Sequence, residues 1–79
     1  MTRTVAEIHQ LDVKGLQCPM PIVKTAKAMR ELGSGDVIEV VATDPGSVKD
    51  FAAWAKATGN ELLESNAIDG TFRFVLRKR

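Results

Sequence analysis

The chain has 79 residues, of which 44% are hydrophobic and 27% are charged, with a formal net charge of +1. No Pro-, Gly- or Ser-rich tract divides it, so we predict a single domain over residues 1–79 with an ordered core at about 7–78. The balanced charge excludes a general attraction for nucleic acid. One cysteine cannot form an internal disulfide, and no signal peptide or long apolar span is present, so we expect a cytoplasmic protein.

The first predicted elements are a strand and a helix. After a frayed start at residues 1–6, the pattern predicts a strand at residues 7–13 and a helix at residues 19–32. The apolar residues of this helix recur at helical spacing and are expected to be buried: Ile22, Val23, Ala26, Met29 and Leu32. Met20 falls on the opposite side of the helix with Lys24 and Lys27, so it is expected to be exposed.

A central strand and a second helix follow. The β-branched run at residues 37–43 is typical of a buried strand. Asp44-Pro45-Gly46-Ser47 begins the second helix, in which Ser47 and Asp50 match a capping box. The expected buried stripe of this helix consists of Val48, Phe51, Ala52 and Ala55, with Trp54 at its edge. Gly59 is placed to end the helix.

The last two predicted strands, residues 61–65 and 71–77, are joined through Ile68-Asp69-Gly70. Because successive side chains of a strand point to opposite faces, Phe72, Phe74 and Leu76 are expected to point inward. The order βαβαββ in so short a chain predicts an α/β fold, a two-layer α/β sandwich with a four-stranded mixed sheet and two helices on one face. The other face of the sheet is expected to be partly open.

The residue most able to carry chemistry is Cys18, in the segment Cys18-Pro19-Met20-Pro21. Prolines suit the first turn of a helix, which places Cys18 at the N-cap or N1 position. The free N–H groups and the dipole of a helix start favour a thiolate, so the sequence predicts a lowered pKa for Cys18. Two alternatives need no chemistry: a buried cysteine acting as a small apolar residue, or a Cys-Pro pair that only marks a turn.

The segment Gly15-Leu16-Gln17-Cys18-Pro19-Met20-Pro21, the helix after it, Asp44-Pro45 and the Asp69-Gly70 hairpin resemble the TusA/SirA-like sulfur carrier proteins over about residues 8 to 78. The resemblance implies that Cys18 accepts sulfane sulfur as a persulfide from a cysteine desulfurase or rhodanese-like protein. Cys18 would then pass the sulfur to an acceptor protein in tRNA thiolation, sulfur oxidation or cofactor synthesis. Members that act in tRNA thiolation often have an acidic residue where this chain has Met20.

Several neighbours of Cys18 are expected to support such a site. Gly15 allows the entering turn, and Pro19 and Pro21 hold the helix start rigid, although all three also serve as ordinary helix punctuation. Met20, Lys24 and Lys27 are candidates for a partner interface, while exposed lysines are more often simply solvated. Asp44 is expected to cap the second helix.

The sequence offers no general base for Cys18, no phosphate loop or cofactor fingerprint, and too few ligands for a metal. We therefore expect a sulfurtransferase-type carrier without independent catalysis, with no cofactor beyond the sulfur itself, and no metal. His9, the sole histidine, is expected to be structural or to face solvent.

Two other functions stay open. One is a nucleic-acid-binding module that uses the basic residues of the last strand on an open sheet face: Arg73, Arg77, Lys78 and Arg79. The absence of outward aromatic residues on that strand counts against it. The other is a redox-sensing thiol that forms a mixed disulfide with a partner's cysteine.

Overall fold

The computed structural model describes residues 8–79 as one four-stranded sheet with two helices. In chain order the elements are β1 (Ile8–Asp12), α1 (Met20–Arg30), β2 (Val37–Ala42), α2 (Ser47–Thr58), β3 (Glu61–Ile68) and β4 (Thr71–Arg77). The sheet order is β1-β2-β4-β3; β1 and β2 are parallel, and the other two pairs are antiparallel. The predicted βαβαββ sandwich is confirmed, whereas the expected frayed start at residues 1–6 and Glu7 lie outside the described residues.

The β3–β4 hairpin is longer than predicted. Asp69 and Gly70 both adopt left-handed conformations, with φ of 51° and 79°. Two such residues form a tight turn whose twist matches that of paired strands. Pairing therefore continues to Ile68 opposite Thr71, and β3 extends three residues past the predicted end at Ser65.

The core lies between the helices and one face of the sheet. Alternate residues of β2 are buried, as expected for a central strand covered on one side. On β4, Phe74 and Leu76 are buried as predicted, and Phe72 packs against the core while half-buried. Phe51 of α2 stacks on Phe74 with ring centroids 4.4 Å apart and an interplanar angle of 18°. This contact fixes how α2 sits on the sheet.

The buried face of α1 was predicted partly wrong, because Val23 is 49% exposed. The buried residues of α1 are Pro21, Thr25 and Met29, at intervals of four. Thr25 can be buried because its hydroxyl donates a hydrogen bond to the carbonyl oxygen of Pro21 at 2.8 Å. Thr25 and Pro21 therefore lie on the buried face of α1, whereas Val23, which the apolar pattern assigned to that face, is exposed.

The buried face of α2 differs in a similar way. Val48 is 42% exposed and Ala52 is also exposed, while Ser47, Phe51 and Ala55 form the buried stripe. The capping-box prediction is wrong as well: Gly46 is the N-cap, and no side chain caps the helix. The predicted stop at Gly59 is confirmed, with φ of 80° and an N–H that donates to the Ala55 carbonyl.

The second face of the sheet carries charged side chains instead of a helix layer. Arg73 of β4 bonds to Glu39 of β2 and, at 2.9 Å, to Glu64 of β3. Arg77 pairs with Glu61 in the same way. This face is therefore open, as predicted, and its charges are largely matched within the sheet. Over residues 8–79, neither helix is long and apolar enough to cross a membrane.

Candidate functional site

The site lies where two loops leave the parallel pair β1 and β2. The carboxyl ends of neighbouring parallel strands meet at one edge of a sheet, so the loop after β1 and the loop after β2 begin side by side. Gly15, with φ of 83°, turns the first loop, and its N–H donates to the Thr43 hydroxyl of the second loop at 2.9 Å. The entering turn expected at Gly15 is present, and it ties the two loops together.

Cys18 is exposed at the end of the first loop. Pro19 is the N-cap of α1, so Cys18 lies one residue before the cap and not at the N-cap or N1 position that was predicted. The Cys18–Pro19 peptide bond is cis. Because the residue is exposed, the alternative of a buried, inert cysteine is wrong.

Two carboxylates face the thiol. Asp44, in the loop after β2, accepts a hydrogen bond from the backbone N–H of Cys18 at 3.1 Å. Asp50 lies in the first turn of α2, and its carboxylate, that of Asp44 and the Cys18 sulfur all lie within 4.8 Å of one another. The side chain of Asp44 therefore serves the cysteine loop, and the predicted capping of α2 by Asp44 is wrong.

These carboxylates set the acidity of the site. Hydrogen bonding to Asp50, together with desolvation and the negative charges of Asp50 and Asp44, raises the pKa of the Cys18 thiol above its ordinary value. The predicted lowering of the pKa is therefore wrong. At neutral pH the free protein carries Cys18 mainly as a neutral thiol.

The start of α1 does little to offset the effect of these carboxylates on the Cys18 thiolate, because few of its N–H groups are free. The N–H of Met20 donates to the Gln17 carbonyl at 2.8 Å, and Pro19 at the N-cap has no N–H to offer. Pro21 has no N–H at all. The prolines that mark the motif therefore also remove part of the donor set that would stabilise a thiolate.

The other predicted residues of the site fall into two groups. Pro21 is buried and anchors the first turn of α1, whereas Pro19 is exposed beside the thiol. Met20 is 40% exposed, and Lys24 and Lys27 are exposed further along the same helix, as expected.

Sequence reasoning missed Asp50 and Val23. Asp50 was assigned only to a capping box. Its position in the first turn of the helix after a parallel strand was the available signal that it lies near the cysteine loop. Val23 is 49% exposed and adds an apolar side chain to the surface of α1.

The alternative functions find less support. Arg73 and Arg77 are paired with glutamates, and the Lys78 ammonium donates to the Leu32 carbonyl at 2.6 Å, so these cations are engaged within the fold. A redox sensor works best with a low-pKa thiolate, which the two aspartates oppose. His9 lies 3.8 Å from Asp36, outside the cysteine cluster.

Two surface cavities lie away from the thiol. One, of about 290 Å³, is on the open face beside Glu39 and Val41. The other, of about 260 Å³, lies between the helices near Met29 and Trp54. Cys18 lines neither of them, and its exposed position suits a reaction with another protein's surface.

Comparison with known proteins defines the class of this site. The sequence profile of the family described as Sulfurtransferase TusA matches residues 9–78. The chain is 54% identical over 70 residues to the sulfur carrier protein TusA of Allochromatium vinosum, covering 89% of this chain and 92% of that protein. It is 52% identical over 68 residues to the putative sulfur carrier protein YrkI of Bacillus subtilis, covering 86% of this chain and 91% of that protein.

A solved structure agrees with these sequence relatives. The SirA-like protein of Desulfitobacterium hafniense superposes with a TM-score of 0.78 at 27% identity, covering 90% of this chain and 96% of that one. The chain belongs to the TusA family of sulfurtransferases.

Proposed function

We propose that this protein is a sulfur carrier that holds sulfane sulfur as a persulfide on Cys18. The observation that carries the proposal is the exposed position of the only cysteine at the start of α1 in a TusA-family fold. The donor is a cysteine desulfurase or rhodanese-like protein, and the acceptor is a cysteine of another protein in a sulfur relay. Both exchanges take place in the reducing cytoplasm, where an unloaded thiol stays free.

The chemistry is a thiol–persulfide exchange. The Cys18 thiolate attacks the outer sulfur of the donor's persulfide, the donor's S–S bond breaks, and a new S–S bond forms on Cys18. The donor cysteine leaves as a thiolate and takes up a proton. One S–S bond replaces another, so no external oxidant is consumed, and delivery to the acceptor repeats the exchange in the opposite sense.

The exposed face of α1 is the proposed docking surface for these partners. Met20 and Val23 supply apolar contact beside the thiol, and Lys24 and Lys27 add positive charge. A flexible methionine adapts to more than one partner surface, which suits a carrier that must meet both a donor and an acceptor. Acidic residues on the partner would complement the two lysines.

Intact-protein mass spectrometry tests the carrier role. The protein is incubated with cysteine and a desulfurase, or with thiosulfate and a rhodanese, and Cys18→Ser is the control. We expect a gain of one sulfur that a reductant removes and that Cys18→Ser lacks. No gain with any competent donor would overturn the proposal.

A charge-reversal pair tests the docking surface. Lys24→Glu with Lys27→Glu is expected to slow loading from the donor protein, whereas Lys56→Glu, in the last turn of α2, is expected to leave it unchanged. Equal rates for the wild type and the α1 variant would show that this face does not meet the donor.

A further inference from the structure

We propose that Asp44 and Asp50, which lie within 4.8 Å of the Cys18 sulfur, form an electrostatic latch that restrains its reactivity in the free carrier, and that a cationic side chain beside the partner's reactive cysteine opens it. This inference rests on the proposed carrier function and names a feature of the partner that the function requires. The partner group is a lysine or arginine, because only a fixed positive charge offsets two carboxylates at the point of contact.

The two carboxylates are held in place from different parts of the fold. Asp44 is fixed by its bond to the Cys18 N–H at 3.1 Å. Asp50 is positioned by α2, whose rotation is set by its neighbour Phe51, a fully buried residue stacked on Phe74. The latch is therefore part of the folded structure and does not depend on a mobile side chain alone.

Within the part of the chain that the structure describes, the pair also lacks a basic partner. Among residues 8–79, no lysine, arginine or histidine forms a salt bridge with Asp44 or Asp50. Acidic residues of the open face differ, since Glu39 and Glu61 each bond to an arginine. Among the described residues, the two aspartates thus have no basic partner. They form a negative site next to the sulfur of the only cysteine, complementary to a cation supplied from outside.

The latch would make Cys18 react selectively with a partner protein that carries a cation. A small electrophile or oxidant brings no cation and meets a neutral, weakly nucleophilic thiol. When a partner's cation reaches the aspartates, Cys18 loses its proton to water and its thiolate attacks the outer sulfur of the partner's persulfide. The partner's S–S bond breaks as the new one forms, and the partner's thiolate takes up a proton from water, so atoms, charge and electrons balance.

The first arm of the test measures the thiolate directly by its ultraviolet absorbance across a pH series. The chain has one cysteine and no tyrosine, so Cys18 is the group that gives this signal in the neutral to alkaline range. The variants are Asp50→Asn and Asp44→Asn, which keep the side-chain shape and a hydrogen-bond acceptor. Glu31→Gln, at the other end of α1, is the matched control.

We expect each Asp→Asn variant to titrate at lower pH than the wild type. Coulomb's law for a unit charge within 4.8 Å of the sulfur, in a water-like dielectric, gives about a fourfold higher thiolate fraction near neutral pH at low salt. Glu31→Gln is expected to titrate like the wild type. Unchanged titration of both aspartate variants, with a native circular dichroism spectrum, would overturn the latch without touching the carrier role.

The second arm tests whether positive charge beside the donor cysteine speeds the loading of Cys18. Two persulfidated peptides are used as donors, one with lysines on both sides of its cysteine and one with glutamates. We expect the lysine peptide to load the wild type and Glu31→Gln several-fold faster, and the preference to fall towards unity in the Asp44→Asn, Asp50→Asn double variant. An undiminished preference would refute the latch. Failure of every variant to load, both from the peptides and from a desulfurase or rhodanese, would refute the carrier function itself.

Discussion

Replacing Phe51 by leucine tests how the core positions the site. Phe51 is completely buried, stacks on Phe74 at 4.4 Å, and meets Trp54 edge-on with centroids 6.5 Å apart. Each aromatic contact contributes about 0.5–1.5 kcal/mol beyond area burial, so the loss of both is expected to cost about 1–3 kcal/mol, and the ring volume that leucine leaves empty adds to this loss. A chain of 79 residues is stabilised by about 4–12 kcal/mol, so the variant should still fold.

Trp54, the single tryptophan, reports the unfolding transition by its fluorescence. Urea titrations would compare the wild type, Phe51→Leu and Val48→Ala, because the apolar pattern alone predicts both positions to be buried. Val48 is 42% exposed, so its truncation is expected to cost less than about 0.5 kcal/mol. Equal losses for the two variants would show that the α2 face has been assigned incorrectly.

Three further predictions concern the rest of the fold. Gly59→Ala should lower stability by about 1–2 kcal/mol, because φ is 80° there and an added Cβ would lie 2.9 Å from Arg79, whereas Gly33→Ala should cost less in the same denaturation assay. Glu39→Gln should lower the melting temperature at low salt, and the difference should shrink at about 1 M salt, since it removes an ion pair with Arg73. Single-stranded RNA should show no salt-dependent binding by fluorescence anisotropy; tight binding that weakens with salt would revive the nucleic-acid alternative.

The architecture could be predicted because its signals are local and strong. The β-branched run of β2 marks a central strand, and Asp69-Gly70 marks a two-residue hairpin. The order of elements then leaves few ways to cover a small mixed sheet. The exposure of Met20, Lys24 and Lys27 followed in the same way from helical periodicity.

The buried faces of the two helices were harder to predict. Several rows of side chains along each helix are similarly apolar, and tertiary packing decides which row is buried. Thr25 is buried once its hydroxyl bonds to the carbonyl of Pro21, so a polar residue occupies the core row of α1. Ser47 is buried at the start of α2, while the apolar residues Val48 and Ala52 remain exposed. An apolar pattern does not distinguish these rows in helices of 11 and 12 residues.

The pKa of Cys18 could not be predicted from the residues next to it in the sequence, because it depends on two aspartates that lie far from it along the chain. Asp44 follows Cys18 by 26 positions and reaches it only because β1 and β2 are parallel and release their loops at one edge. Asp50 reaches it only because Phe51 fixes the rotation of α2. The lowered pKa expected from the helix start needed a full set of free N–H groups and no facing carboxylate, whereas few N–H groups are free and two carboxylates face the thiol. The reactive position was therefore visible in the motif, whereas its charge state depended on the topology.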